Sequence, residues 1–174
     1  MTTTSTEPPA ASSRLDVLDW RRRVERLYAA VREEAGSDPA AAHTTWRRGR
    51  DELLGGHPSS PLLPEHREGF AGLPVAPYDP AQRHVVDVEP WTAGPDADGG
   101  SGRASYGGGR YVLDTVKGAD LGSVGDRLVL DLNFAYPPSC AYDPAWACPL
   151  PPAENRVDAV LEVGELHEGP WAEH

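Results

Sequence analysis

The sequence predicts an α+β domain: two N-terminal helices, then a small, mostly antiparallel β-sheet, then a Pro-rich C-terminal loop. Three observations carry that expectation. Apolar residues recur with helical spacing only in the first third of the chain. Short β-branched or alternating segments appear only later, and helices followed by strands without alternation favour an antiparallel sheet with helices on one side. Proline and glycine, 18 of each in 174 residues, are dense enough to leave much of the chain in loops.

Residues 1–12 read as a disordered tail, since a polar Thr/Ser/Pro segment has nothing to bury. Residues 13–168 form the single domain and 169–174 a C-terminal tail. From Ser13, Leu15, Leu18, Val24, Leu27, Tyr28 and Val31 repeat at three, four and seven, with arginines and glutamates on the other faces, to an end near Gly36. The run Arg21 to Arg23 is a solvated face on this reading. Asp38 before Pro39 is an N-cap and first-turn signal, and Ala40, Ala41, Thr45, Trp46 and Leu53 continue a second helix to Gly55 and Gly56.

From His57 the prolines at 58, 61, 64, 74, 77 and 80 describe a chain that wraps over a surface, anchored by Leu62, Leu63, Phe70 and Leu73. Strands are expected at Arg83–Glu89, Gly109–Thr115, Asp126–Asn133 and Val157–Val163, with Gly122–Asp126 turning between the second and third. Gly94–Gly102 is a polar, acidic connection. Four strands are few, so the helices or a partner subunit must cover the sheet.

Charge narrows the partners. The formal net charge is −11, and residues 68–174 carry the whole deficit, with seventeen acidic against six basic groups. Such a surface repels phosphates, which excludes nucleic acid and anionic membrane as partners. No apolar run is long enough to span a bilayer, and the start lacks the basic and apolar regions of a signal peptide, so a cytoplasmic protein is expected.

The chemically unusual segment is Asp131–Arg156. It holds both cysteines and both asparagines of the chain, and six prolines between Pro137 and Pro152. In a chain with 15 Arg, one Lys and no Ile, a composition that points to a GC-rich genome, such a concentration of Asn, Tyr and Phe suggests need. Proline loses little entropy on ordering, so this loop can hold side chains rigidly without regular structure. Cys140 and Cys148 stand too far apart in sequence for a zinc knuckle, and the six His are scattered, so no metal and no cofactor are expected. A disulfide, a catalytic thiol and simple packing remain open for the pair, with packing favoured. Gly107, Gly108 and Gly109 precede a strand and not a helix, so they read as a tight turn and not as a phosphate loop. Arg110, entering that strand, either pairs with a carboxylate such as Asp131 or Glu165 or receives an anionic ligand, the ion pair being the commoner outcome.

Several separated blocks also resemble a known group. GRYVLD (Gly109–Asp114), DLNFAY (Asp131–Tyr136), CAY (Cys140–Tyr142), CPLPP (Cys148–Pro152), ENR (Glu154–Arg156) and Gly164–Glu165 occur in the order typical of the uncharacterised bacterial and archaeal domain-of-unknown-function family 1684. Upstream, RDELLGGHPSSPLLPEHREGFAGLPVAPYDPAQR is similar to that family's N-terminal blocks, so the resemblance covers most of residues 47–165. Pro137 stands where the family usually has Asn, Ala104 and Ser105 where Glu and Thr are common, and a long central β region is replaced by Trp91–Arg103, which implies a shortened member with Trp91 covering the sheet. The resemblance implies no activity.

The functional expectation is a small-molecule ligand, bound or turned over where the Pro-rich Cys loop packs on the GRY strand. Its candidate residues are Tyr106, Arg110, Asn133, Tyr136 and Cys140 on the first half of that surface. Tyr142, Cys148, Asn155, Arg156 and Glu165 complete it. The alternative is a structural or interaction protein, a homodimer, in which the same residues only hold the sheet together. Asn133 and Arg156 are expected to be buried and satisfied, and the two thiols to lie close together and reduced.

Overall fold

The computed structural model describes residues 14–88, 107–148, 150–151, 155 and 159–173. The expected tail 1–12, the connection 94–102 with Trp91, and the first part of the expected strand 157–163 lie outside the described residues.

Helix α1 spans Arg14–Ala35 and helix α2 Pro39–Gly56, as the periodicity requires. The turn between them is three residues long, and the Asp38 carboxylate caps α2 by accepting from the Ala40 and Ala41 amides at 3.1 and 3.0 Å. Two long helices joined by so short a turn must fold back on each other. They approach closely at Gly49, where a Cβ would lie 2.4 Å from Cδ1 of Leu27, so glycine is needed there for contact and not for backbone freedom. The inward stripe of α2 is Ala42, His43, Trp46, Arg50, Leu53 and Leu54, and that of α1 is Tyr28, Val31 and Ala35.

Beyond α2 the chain is pinned by side chains, with one short helix, α3, at Pro64–Arg67. Arg67 donates to the Leu62 and Ser60 carbonyls at 2.8 Å each, satisfying backbone that proline-rich chain leaves without ladder partners. The sheet is antiparallel and three-stranded, in the order β1 (Arg83–Val86), β3 (Arg127–Asp131), β2 (Ser123–Val124). Arg83 stands opposite Asp131 and Val85 opposite Val129, which puts Val129 against the helices and Arg83 within 3.2 Å of the buried Asp131 carboxylate.

The structure differs from the expectation in three places. Residues 159–163, the described part of the strand expected at Val157–Val163, form no strand. Gly109–Thr115 is not a strand: Tyr111 forms an isolated bridge with Tyr136, and the chain then turns back on itself through an Asp114–Ala119 bridge. The hairpin onto β3 is instead made by Ser123–Val124. Among the described residues, local β-propensity at 109–115 finds no neighbouring strand to pair with beyond the single Tyr111–Tyr136 bridge. The C-terminal segment expected as a tail packs: Trp171, in a 3-10 turn at Pro170–Glu173, is buried against Tyr142, Leu54 and their neighbours. A large apolar ring gains more by burial than a short terminus loses in freedom.

Among the described residues the interior has two adjoining clusters. One centres on Tyr28, Val31, Trp46, Val129 and Phe134, the other on Leu54, Leu62, Leu73, Tyr142 and Trp171, with Val24, Leu27 and Val75 bridging them. Among the described residues no helix is long and apolar enough to cross a membrane.

Candidate functional site

Arg50 occupies a core position on α2, between Trp46 one turn before it and Leu53 one turn after it, and its side chain is only 11% exposed. A guanidinium in that position requires a counter-charge. Glu165 supplies it from the far end of the chain: Nη2 of Arg50 donates to Oε2 at 2.5 Å, while the Tyr142 hydroxyl accepts from the same Nη2 at 3.2 Å and donates to Oε1 of Glu165. Tyr136 lies under the guanidinium with its ring centre 4.4 Å from Cζ, and Trp46 flanks it at 5.4 Å.

Backbone geometry delivers Glu165 to this point. Gly164 adopts φ +74, and a Cβ there would lie 2.6 Å from the Ala135 carbonyl oxygen, so only glycine fits. The following amide of Glu165 donates to that carbonyl at 2.8 Å, and residues 164–166 pair with Pro74 to Ala76 on their other side. Arg110 then clamps the incoming segment, donating to the carbonyls of Leu161, Val163 and Glu165 at 2.9, 2.6 and 3.2 Å. This corrects the expected role of Arg110: it holds backbone oxygens and not a carboxylate side chain, because Asp131 is taken by Arg83 and Tyr78 and Glu165 by Arg50 and Tyr142.

A cleft of about 70 Å³ opens above the Arg50 guanidinium, between α1, α2 and the start of the Pro loop. Trp20, Val24 and Leu27 of α1 form one wall, Leu53, Leu54 and Pro61 a second. Tyr111, Lys117 and the Pro137–Ser139 segment close the third, with Tyr28, Tyr136 and Tyr142 inside. Lys117 stands at the rim with its ammonium 5.2 Å from the Tyr111 ring centre and 2.6 Å from the Asp114 carboxylate.

The electrostatics fix protonation states. Burial lowers the Arg50 pKa, but the Glu165 carboxylate and the surrounding tyrosine oxygens more than offset this and leave it raised. Burial pushes the Tyr28 hydroxyl up to about 12 and drives Tyr136 upward; in Tyr142, burial and then Glu165 do the same. The hydroxyls of Tyr28, Tyr136 and Tyr142 are therefore neutral and the Arg50 guanidinium charged at physiological pH. Among the described residues the cleft lining carries no imidazole, thiol or carboxylate.

Of the residues singled out in the sequence, Tyr136 and Tyr142 line the cleft, Glu165 lies directly beneath it, and Arg110 positions Glu165. Asn133 is buried elsewhere: its amide nitrogen donates to the Asp79 carbonyl and to Asp131, and its oxygen accepts from the Asp79 amide, all within 2.8 Å. Cys140 is a buried thiol, whereas Cys148 and Asn155 are exposed. Tyr106 and Arg156 lie outside the described residues. Arg50, Tyr28 and Tyr111 are the site residues that sequence reasoning passed over. Arg50 could have been found as a charge lying on the apolar stripe through Trp46 and Leu53. No group of three or more His, Cys, Asp or Glu that could hold a metal ion occurs among the described residues.

Comparison with known proteins adds one match. Residues 92–166 match a family described as "Protein of unknown function (DUF1684)". The matched stretch includes Tyr111, Lys117, Tyr136, Tyr142 and Glu165, and excludes Arg50 and the helical walls. No curated protein matches the chain.

Proposed function

We propose that the protein, whose residues 92–166 match the DUF1684 family, binds a small molecule in the cleft above Arg50. The observation that carries this reading is the Arg50 guanidinium itself: it is largely buried, charged, and lines an open cleft with its Nη1, which unlike Nε is not fully enclosed, finding no acceptor among the described residues. A purely structural arginine at this depth would have its donors taken up, as Arg67 and Arg110 have. The cleft is mostly apolar and aromatic with a few convergent polar groups, the usual make-up of a ligand site. No group poised to exchange a proton near pH 7 lines it among the described residues, which favours binding over acid–base chemistry. A cytoplasmic setting is the reading we adopt, one in which two cysteines are more often thiols than a bridge.

A thermal-shift screen of small metabolites tests the reading, because a ligand that binds only the folded state raises its melting temperature by mass action. At least one compound is expected to do so, and Val24→Trp, which fills the cleft from α1, should abolish the response. A screen without any such compound, together with a concentration-dependent dimer in solution, would favour the interaction-protein alternative.

A further inference from the structure

We infer that the ligand is uncharged: an apolar or aromatic body bearing one acceptor oxygen, such as a primary amide, seated with that oxygen on Arg50. The inference rests on the binding reading above and specifies its chemistry. Three observations lead to it.

The first is the balance of donors. Arg50 uses Nη2 for both Tyr142 and Glu165 and its Nε is fully enclosed, while its Nη1 keeps accessible surface and has no acceptor among the described residues. Tyr28 already accepts from Nε1 of Trp46 at 2.9 Å, so its hydroxyl proton remains to be given. Burial keeps that proton in place up to about pH 12. What these groups lack is an acceptor, and guanidinium and phenol can supply only donors to it.

The second is the balance of charge. Two cations line the cleft, and each is matched by one carboxylate: Arg50 by Glu165 at 2.5 Å and Lys117 by Asp114 at 2.6 Å. Glu165 is fully buried. An anionic ligand would place a second negative charge beside it with no cation left to compensate, in a chain of net charge −11. A cationic ligand would meet the Arg50 guanidinium. An uncharged acceptor satisfies the open donor without disturbing either pair.

The third is shape. The walls are rings and aliphatic chains, among them Trp20, Leu27, Tyr111 and Tyr136. The enclosed space of about 70 Å³ is smaller than the roughly 150 Å³ apolar cavity known to take a benzene ring. A polar head and part of a ring therefore fit inside, with the remainder of the ligand in the open mouth.

Ligand-observed NMR titration with benzamide, benzoate and benzylamine at pH 7 tests this on one molecular shape with three charges. Benzamide is expected to bind saturably and at least tenfold more tightly than either charged probe. Tyr28→Phe, which keeps the ring and removes the hydroxyl, should weaken benzamide several-fold, and Val24→Trp should remove its binding. Tightest binding by benzoate or benzylamine, blocked by Val24→Trp, would overturn the uncharged ligand while leaving the binding site standing. Benzamide binding unchanged in both folded variants would place the probe elsewhere and overturn the inference. Absence of saturation for all three probes would also overturn it, and the metabolite screen would then decide the binding reading separately.

Discussion

The helical hairpin and the C-terminal loops meet at one ion pair, and they hold their halves of it by opposite means. Arg50 is positioned by a regular helix, whose residues are fixed by neighbours three and four positions away and by one capping carboxylate. Glu165, Tyr142 and Tyr136 sit in chain with almost no regular structure, fixed by bonds that cross more than twenty residues of sequence. Arg110 reaches 51 to 55 residues ahead to hold three carbonyls, and Arg32 reaches 86 and 88 residues ahead to hold those of Gly118 and Asp120. The lesson is that irregular chain can be as ordered as a helix when arginines take the place of a hydrogen-bond ladder. Such order has few members, so losing one costs more than losing one rung of a helix.

The comparison breaks most visibly at the ion pair. Replacing Glu165 with Ala leaves the Arg50 guanidinium buried and uncompensated, and removes the acceptor of the Tyr142 hydroxyl. Breaking a buried pair on one side typically costs about 3–5 kcal/mol, a large share of the stability of a domain this size. Urea unfolding should show a much lower midpoint, or a protein that does not fold at 37 °C. An unchanged midpoint would mean that the pair contributes nothing and that the two regions are not joined there. Next in size is Arg110→Ala. It orphans carbonyls at 161, 163 and 165, and a loss of about 2 kcal/mol is expected, since each buried acceptor left unmade costs about 1–3 kcal/mol and water recovers part of it. Arg110→Lys should recover less than half, because an ammonium cannot hold three carbonyls spread along an extended segment as a planar fork does.

This difference in how order is achieved also explains what could be read from the sequence. Both helices and the position of β3 were legible, because period 3.6 and a β-branched run are local signals that the fold merely confirms. The importance of the loop was legible too, from its Pro, Asn and Cys content, and Tyr136, Tyr142 and Glu165 all fall at or under the cleft. The partner of Glu165 was not. It lies 115 residues away on a helix that reads as amphipathic, where an arginine looks like part of the wet face until its phase against Trp46 and Leu53 is counted. Arg110 failed in another way: spacing revealed an isolated cation, but only the path of 161–165 shows that backbone oxygens, and not a side chain, surround it. The strand expected at 109–115 had the right residue types but, among the described residues, only the single Tyr111–Tyr136 bridge to pair in.

A pH experiment sharpens the comparison inside the helical half. His43 is buried between Trp46, Tyr78 and Phe134, and its Nε2 has no hydrogen-bond partner in the described structure. Burial holds its pKa below the ordinary 6.5, against the opposing pull of the Asn133 backbone and the Asp131 charge. The folded protein therefore keeps His43 neutral at a pH where the unfolded chain already binds the proton. Stability from this residue is present above about pH 6.5 and is lost as pH falls below it, with a slope of at most about 1.4 kcal/mol per pH unit for one proton. In His43→Phe the dependence of the urea midpoint on pH should flatten between about pH 5.5 and 7.5. An equal slope in both proteins would assign it to other groups.

The smallest effect expected is at the cap of α2. Asp38 accepts from the Ala40 and Ala41 amides at an exposed helix start, so Asp38→Ala should cost about 1 kcal/mol and Asp38→Gly only a few tenths. Water can replace the lost acceptor at a solvent-facing helix end, which it cannot do beside Arg50. The helix beyond the first turn is held by packing of Trp46, Leu53 and Leu54, so Arg50 should keep its place and ligand affinity should stay at the parent value in both variants. Melting temperature and affinity measured on the same samples separate the two contributions. A cap variant that lost ligand affinity along with its modest stability would show that the start of α2 governs the position of Arg50, and that the helical half is as globally coupled as the loops it faces.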